Sequence, residues 1–317
     1  MMEIIKSGTK INFTGAKNQF FAFSLVIMAV CIFFVVNKGF NLGIDFAGGT
    51  VIQVRFANPV PLDDIREGLK PVINGDFAIQ NFGEPNEVLV RIVEHGGIGL
   101  QELSDNIKAQ LEMKFAGESP AIQRIEQVGP QVGEDLRRKA FLAIIYSTIG
   151  ILAYVAFRFE LLFAIGAILS LIHDIVITLG FYSIAGKEFN LTVMAAVLTV
   201  AGYSLNDTIV IFDRIREKIK TGKLNEHTWQ EITNMSINET LSRTVLTSAL
   251  TFIAVLCLYI FGGEVINGFA LVMMAGIVIG TYSSIGIAAM FVYVVRSRKG
   301  VQFNESPRKR TGGLKKA

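Results

Sequence analysis

Leu161 to Ala185 reads LLFAIGAILSLIHDIVITLGFYSIA, and its only charged or imidazole-bearing side chains are His173 and Asp174. A helix crosses the roughly 30 Å hydrocarbon layer of a bilayer with about 20 largely apolar residues. This run meets that length. A soluble core helix has no need of so long a charge-poor stretch.

The same reading extends in both directions. Comparable runs cover Gln19–Val36, Ala140–Phe157, Leu191–Phe212, Leu241–Phe261 and Gly268–Val295. The 317 residues are 51% hydrophobic and 18% charged, whereas a soluble domain carries about 25% charged residues. Mean hydropathy is +0.47. The expected fold class is a polytopic α-helical membrane protein with six transmembrane helices. The first run is too long for a signal-peptide core and no small-x-small cleavage site follows, so it reads as an uncleaved anchor. Cys31 and Cys257 lie inside apolar runs, where they read as small buried hydrophobes.

Six spans place both termini on one side. Arg158, the cluster Arg214, Arg216, Lys218, Lys220 and Lys223, and the group Arg296, Arg298 and Lys299 all border one set of ends. The opposite short loops hold little beyond Lys187, Glu188 and Glu264. By the positive-inside rule the basic set faces the cytoplasm. Arg137, Arg138 and Lys139 run against this, but Glu134 and Asp135 offset them, and charges after a long translocated domain weigh less. The expected organisation is a cytoplasmic N-terminus (1–18), a first span (19–36), a periplasmic domain (37–138), five further spans (139–295) with a cytoplasmic loop (213–239), and a basic cytoplasmic tail (296–317). A net charge of +3 gives no case for nucleic acid; the basic tail beside a span suits anionic membrane lipid.

Residues 37–138 have ordinary soluble composition. Thr50–Ala57 alternates as a half-buried strand does. Leu62–Val72 is amphipathic with Asp63 and Asp64 in its first turn. Phe77–Phe82 and Val88–Val93 read as strands, with Gly83, Pro85 and Asn86 in the turn between them. Leu100–Phe115 returns to helical spacing, and Ala121–Val128 is a last strand. The order β-α-β-β-α-β is that of a ferredoxin-like α+β domain.

Ionisable groups inside a bilayer are costly, about 2.5–3.5 kcal/mol on insertion scales. The exceptions are His173 and Asp174 in the third span, Asp207 in the fourth and Arg243 in the fifth. Counted from Asp213, Asp207 lies about 9 Å of helix rise inside the basic interface. Arg243 lies at a similar depth on the antiparallel neighbour, so the two charges are expected to meet. Asn206, Thr247, Ser248 and His173 are the supporting polar residues, of the kind that line a wet path or hydrogen-bond across helices. The pair is read either as packing scaffold or as a two-state switch in which proton uptake at Asp207 releases Arg243. Asp174 is either a second proton-coupling residue or a hydrogen-bonded packing residue. Asn225–Asn238 reads as a short interfacial helix, and Gly276 and Gly280, with Ser283 and Ser284 beyond, as a close-packing stripe. There is no nucleophile–base pair, phosphate loop or metal-ligand spacing; His95 beside Gly96 and Gly97 has no partners at ligand spacing. No cofactor is called for, and no enzyme is expected.

Three stretches carry a resemblance: GIDFAGGT from Gly43, LIHDIVITLG from Leu171, and GYSLNDTIVIFDRIRE from Gly202, followed by Ser242–Arg243–Thr244. Together they resemble the SecF side of the SecD/SecF family, over nearly the whole chain. The resemblance implies a bacterial inner-membrane subunit that pairs with SecD in a pseudo-symmetric unit related to the RND transporter superfamily. It further implies association with the SecYEG channel, with YajC and YidC, and with exported unfolded polypeptide, driven by the proton-motive force. In that family the aspartate of the LND motif and the arginine of the next span are associated with proton transport, which gives Asp207 and Arg243. Gly43, Asp45, Phe46, Gly48 and Gly49 form the junction to the outer domain and read equally as a hinge or a purely structural turn. The rival readings are a small-molecule or lipid transporter of the same superfamily and a non-transporting assembly factor.

Overall fold

A computed structural model of the chain describes residues 9–73, 75, 77–92, 99–222 and 227–299. Lys6, Lys223, Asn225, His95 with Gly96 and Gly97, and the tail beyond residue 299 lie outside the described residues.

Helix α1 is Lys17–Asn37, entered through a 3-10 turn at Thr14–Ala16. Next come β1 (Asn41–Leu42), α2 (Ile44–Ala47), β2 (Gly49–Arg55), α3 (Leu62–Leu69), β3 (Phe77–Phe82), β4 (Glu84–Ile92), α4 (Leu100–Lys114) and β5 (Ala121–Val128). The long helices follow: α5 (Pro130–Arg158), α6 (Leu161–Ala185), then β6 (Glu188–Phe189), α7 (Leu191–Lys220) and α8 (Trp229–Phe261). The last span is α9 (Glu264–Ser283), a π-helical turn at Ser284–Ala289, and α10 (Met290–Lys299).

Among the described residues, six stretches are long and apolar enough to cross a membrane: residues 14–37, 130–158, 161–185, 191–220, 229–261 and 265–298. Helices α6 and α7 are the inner pair, whereas α1 and α5 present most of their surface outward. Glycine sets how closely the inner helices approach. On α9, Gly268, Gly276 and Gly280 lie against Val193, Val200 and Ser204 of α7 in parallel register. Gly180 of α6 admits the backbone of Cys31 in α1. Without a hydrophobic drive between helices in lipid, such small residues let dispersion contacts hold the bundle.

Strands β2 to β5 form one antiparallel sheet in the order β3-β4-β2-β5. One face carries Ile52, Val54, Ile79, Val88, Val90 and Ile92, packed on Ile65 and Leu69 of α3 and on Leu103, Ile107 and Leu111 of α4. The alternation of β2 places every second side chain in this core. The turn before β4 is tighter than expected. Gly83 turns at φ +65°, and Pro85 and Asn86 already belong to β4. They fit because the ladder shifts register between Asn81 and Phe82, and a strand tolerates proline at such an irregularity.

The short interfacial helix expected at Asn225–Asn238 is instead the first turns of α8. Thr228 caps it in a capping box with Glu231, which satisfies two of the free N-terminal amides and lets one helix run continuously.

Candidate functional site

Helix α7 buries Asp207, only 4% exposed, at its packed face. The Ser248 hydroxyl of α8 donates to Asp207 Oδ2 at 3.3 Å. Thr281 Oγ1 of α9 lies 2.8 Å from Ser248 Oγ. A line of oxygens thus runs from the carboxylate through one helix to the next.

Arg243 forms no direct ion pair with Asp207 within 4 Å, although the two charges stand near enough to interact electrostatically. The register of α7 against α8 explains it. Glu239 pairs with Arg214 and, at 2.6 Å, with Lys218, and Ser248 stands level with Asp207. Arg243 therefore falls five residues, about 7.5 Å of helix rise, closer to the basic end than Ser248. Both helices continue well past the assumed interface, to Lys220 and from Trp229, so depth counted from loop ends misled. Arg243 is exposed and lines a cavity of about 460 Å³ with Tyr154, Arg158, Asp213, Glu239 and Thr240. Of the expected supporting residues, only Ser248 reaches Asp207. The Thr247 hydroxyl turns back onto its own helix at Arg243 O and Thr244 O, both 3.0 Å. Asn206 is exposed on the adjoining face of α7.

Asp174 is more elaborately held. It is 0% exposed. His173 Nδ1 lies 2.9 Å from its Oδ1, and its Oδ2 accepts from Ser204 of α7 and from Ser283 of α9 at 2.7 Å. Ser170 donates to Ser283 Oγ at 2.9 Å. His173 Nε2 is buried with no hydrogen-bond partner among the described residues; the ring stands 6.1 Å from that of Tyr282. A buried polar group without partners costs about 1–3 kcal/mol, which the serines largely avoid for the carboxylate. Ser170, Ser204 and Thr281 carry no signal in sequence beyond their spacing on the same helix faces as the acids. Ser204 and Asp207 are three residues apart on α7, and Thr281 and Ser283 two apart on α9, so both helices touch both carboxylate sites. The π-helical turn begins directly after Ser283; such turns recur at functional sites.

The junction is clamped to the bundle. β1 pairs in parallel with β6, Asn41 with Glu188 and Leu42 with Phe189, and Gly43 N donates to Phe189 O at 2.9 Å. Leu191 N, the first amide of α7, donates to Asp45 Oδ2 at 2.9 Å, beside the helix's own cap Asn190. Two elements therefore satisfy amides that a helix start leaves free. Phe46 is buried against Phe189. Gly48, at φ +75°, approaches so near that a Cβ there would sit 3.0 Å from Pro130 Cα. On α5, a Cβ at Gly133 would sit 3.0 Å from Gly48 N. Among the described residues no cluster of three His, Cys, Asp or Glu side chains is placed to hold a metal.

The chain matches the family model described as protein export membrane protein SecD/SecF, C-terminal, over residues 108–298, and the SecD/SecF GG motif over residues 33–60. It is 54% identical to the protein translocase subunit SecF of Calditerrivibrio nitroreducens, over 93% of this chain and 97% of that one. It is 42% identical to the SecF subunit of Vibrio alginolyticus, over 97% of this chain and 100% of the relative. Among solved structures it resembles SecDF of Thermus thermophilus, a translocon-associated membrane protein, with a TM-score of 0.81 at 37% identity. That match covers 92% of this chain, which spans 39% of the longer SecDF chain.

Proposed function

The chain belongs to the SecD/SecF family of protein-export membrane proteins, and on that premise we propose that it is the SecF-side half of a proton-driven motor for Sec-dependent export. It lies in the bacterial inner membrane with both termini cytoplasmic, since the Lys and Arg residues cluster at one set of helix ends. The ferredoxin-like unit of residues 37–138 then faces the periplasm.

SecD completes the bundle. Asn206 on α7 and Arg243 at its cavity on α8 are exposed, and polar side chains left against lipid are costly. A polar partner surface over α7 and α8 removes that cost. SecYEG, YajC and YidC are the further partners that the resemblance suggests, and unfolded exported polypeptide is the substrate.

The observation that carries the reading is Asp207, a buried carboxylate that accepts from one serine hydroxyl and has no cation within 4 Å among the described residues. Such a group can exchange a proton and change its hydrogen bonds as it does so. Arg243 acts on Asp207 across a distance, from the cavity it shares with Asp213. Asp174, fixed to α7 and α9 by serines, is the second proton-coupling residue. Displacement of α7 reaches the outer unit through Asp45 and the Gly43–Gly49 junction.

The test is export of a secreted reporter in cells depleted of their own SecF and complemented at matched membrane levels. Asp207→Asn is expected to fail while SecD association persists. Full rescue by Asp207→Asn would reduce Asp207 to packing and favour the assembly-factor reading.

A further inference from the structure

We propose that Glu188 and Arg91 form the positioning pair that makes the outer α+β unit follow α7. This rests on the proton-driven reading above and adds the residues that transmit the motion.

Glu188 stands three residues before α7 begins. Its carboxylate pairs with the Arg91 guanidinium of β4, and Gln80 of β3 lies 3.5 Å from the same oxygen. Arg91 Nη1 also donates to Leu42 O at 3.1 Å and to Asn41 Oδ1 at 3.4 Å. Gly43 leaves room for this arrangement, because a Cβ there would sit 2.6 Å from Glu188 Oε1. The side chains are 13% and 23% exposed, so the pair is less screened than a surface bridge. Among the described residues it is the one ion pair between the α+β unit and the helices.

The covalent connections make this tie consequential. The chain enters the unit at Gly48–Gly49 and leaves it at Gly129–Pro130, and Gly48 touches Pro130. Two connections that meet at one place act as a pivot and leave rotation about it free. The Arg91–Glu188 contact lies off that pivot. β4 borders β2 on the side away from β5, the strand that leads out. A third attachment off the pivot fixes the rotation, and this one is attached to the start of α7. A shift of α7 that moves Glu188 must turn the sheet or break the pair. Without the pair, the unit keeps the pivot and the Arg91 bonds to β1, and its rotation is no longer tied directly to Glu188.

The experiment uses the full chain reconstituted with its SecD partner. Glu188→Arg and Arg91→Glu are each expected to lower reporter export about tenfold at matched abundance, in line with close charge-pair couplings. Proton flux through the complex should stay within about twofold, because neither residue contacts Asp207 or Asp174. The double charge swap should restore export. A distance between spin labels on Lys108 and on the bundle should broaden in Glu188→Gln. Normal export in both single variants, no recovery in the swap, flux falling with export, or an unbroadened distance would each overturn the proposal. Asp207→Asn, measured alongside, separates the two readings. If that variant keeps its flux, the proton reading fails, while the swap and the spin-label distance still decide the positioning pair.

Discussion

Gly276→Ala adds one methyl where α9 crosses α7. The new Cβ would lie 2.5 Å from one Val200 methyl, closer still to the other, and 3.0 Å from Val200 Cβ. Carbon atoms rest at about 3.5–4.0 Å, so the overlap is about 1 Å with two atoms at once. Turning Val200 about χ1 gives no relief, because its Cβ is itself too close. The helices must part, and overpacking of this kind costs about 1–3 kcal/mol. One turn further along, Ser204 faces Gly280 and donates to Asp174, so parting the helices also strains that bond. Thermal unfolding of the purified complex in detergent should show a fall of at least about 2 °C, with reduced export. Val200→Ala removes the two offending methyls, and in the double variant most of the loss should return, to within about 1 kcal/mol. A Gly276→Ala protein as stable as its parent, or a double variant worse than either single, would refute the close parallel packing of α7 and α9.

Gly48→Ala combines a left-handed backbone with a Cβ 3.0 Å from Pro130 Cα, and should cost about 1–3 kcal/mol in the same assay. Ser283→Ala removes one of two serine donors to a fully buried carboxylate and should cost about 1–3 kcal/mol; Ser283→Thr, which keeps the hydroxyl, should recover part of it.

The spans were legible because freedom from charge over 20 or more residues has few other causes. Helix α6 has the expected limits, since Glu160 and Gly186 bound it sharply. Strand β2 showed through alternation, and β3 and β5 have the limits read for them from their turn-bounded apolar stretches. The site was only half legible. Burial cost singles out Asp207 and Asp174 in one dimension, but the hydroxyls that hold them come from neighbouring helices whose register no local pattern reveals. Depth counted from the last charged residues puts Arg243 level with Asp207. The helices run on beyond them, and ion pairs at Glu239 set the register. β1 and β6, two residues each, are too short for periodicity to register. Glu188 looked like an ordinary loop charge because its partner lies 97 residues earlier, in another unit.

The contact between Gly48 and Pro130 also bears on how such a chain can change over time. A segment whose two ends meet behaves as an insertion between consecutive transmembrane helices. The membrane scaffold sees only a short bridge from β1 to α5, whatever the length of chain beyond. The α+β unit can therefore be enlarged, trimmed or exchanged without re-registering a single membrane helix, provided that the glycine seat on Pro130 is kept and a residue like Arg91 still reaches Glu188.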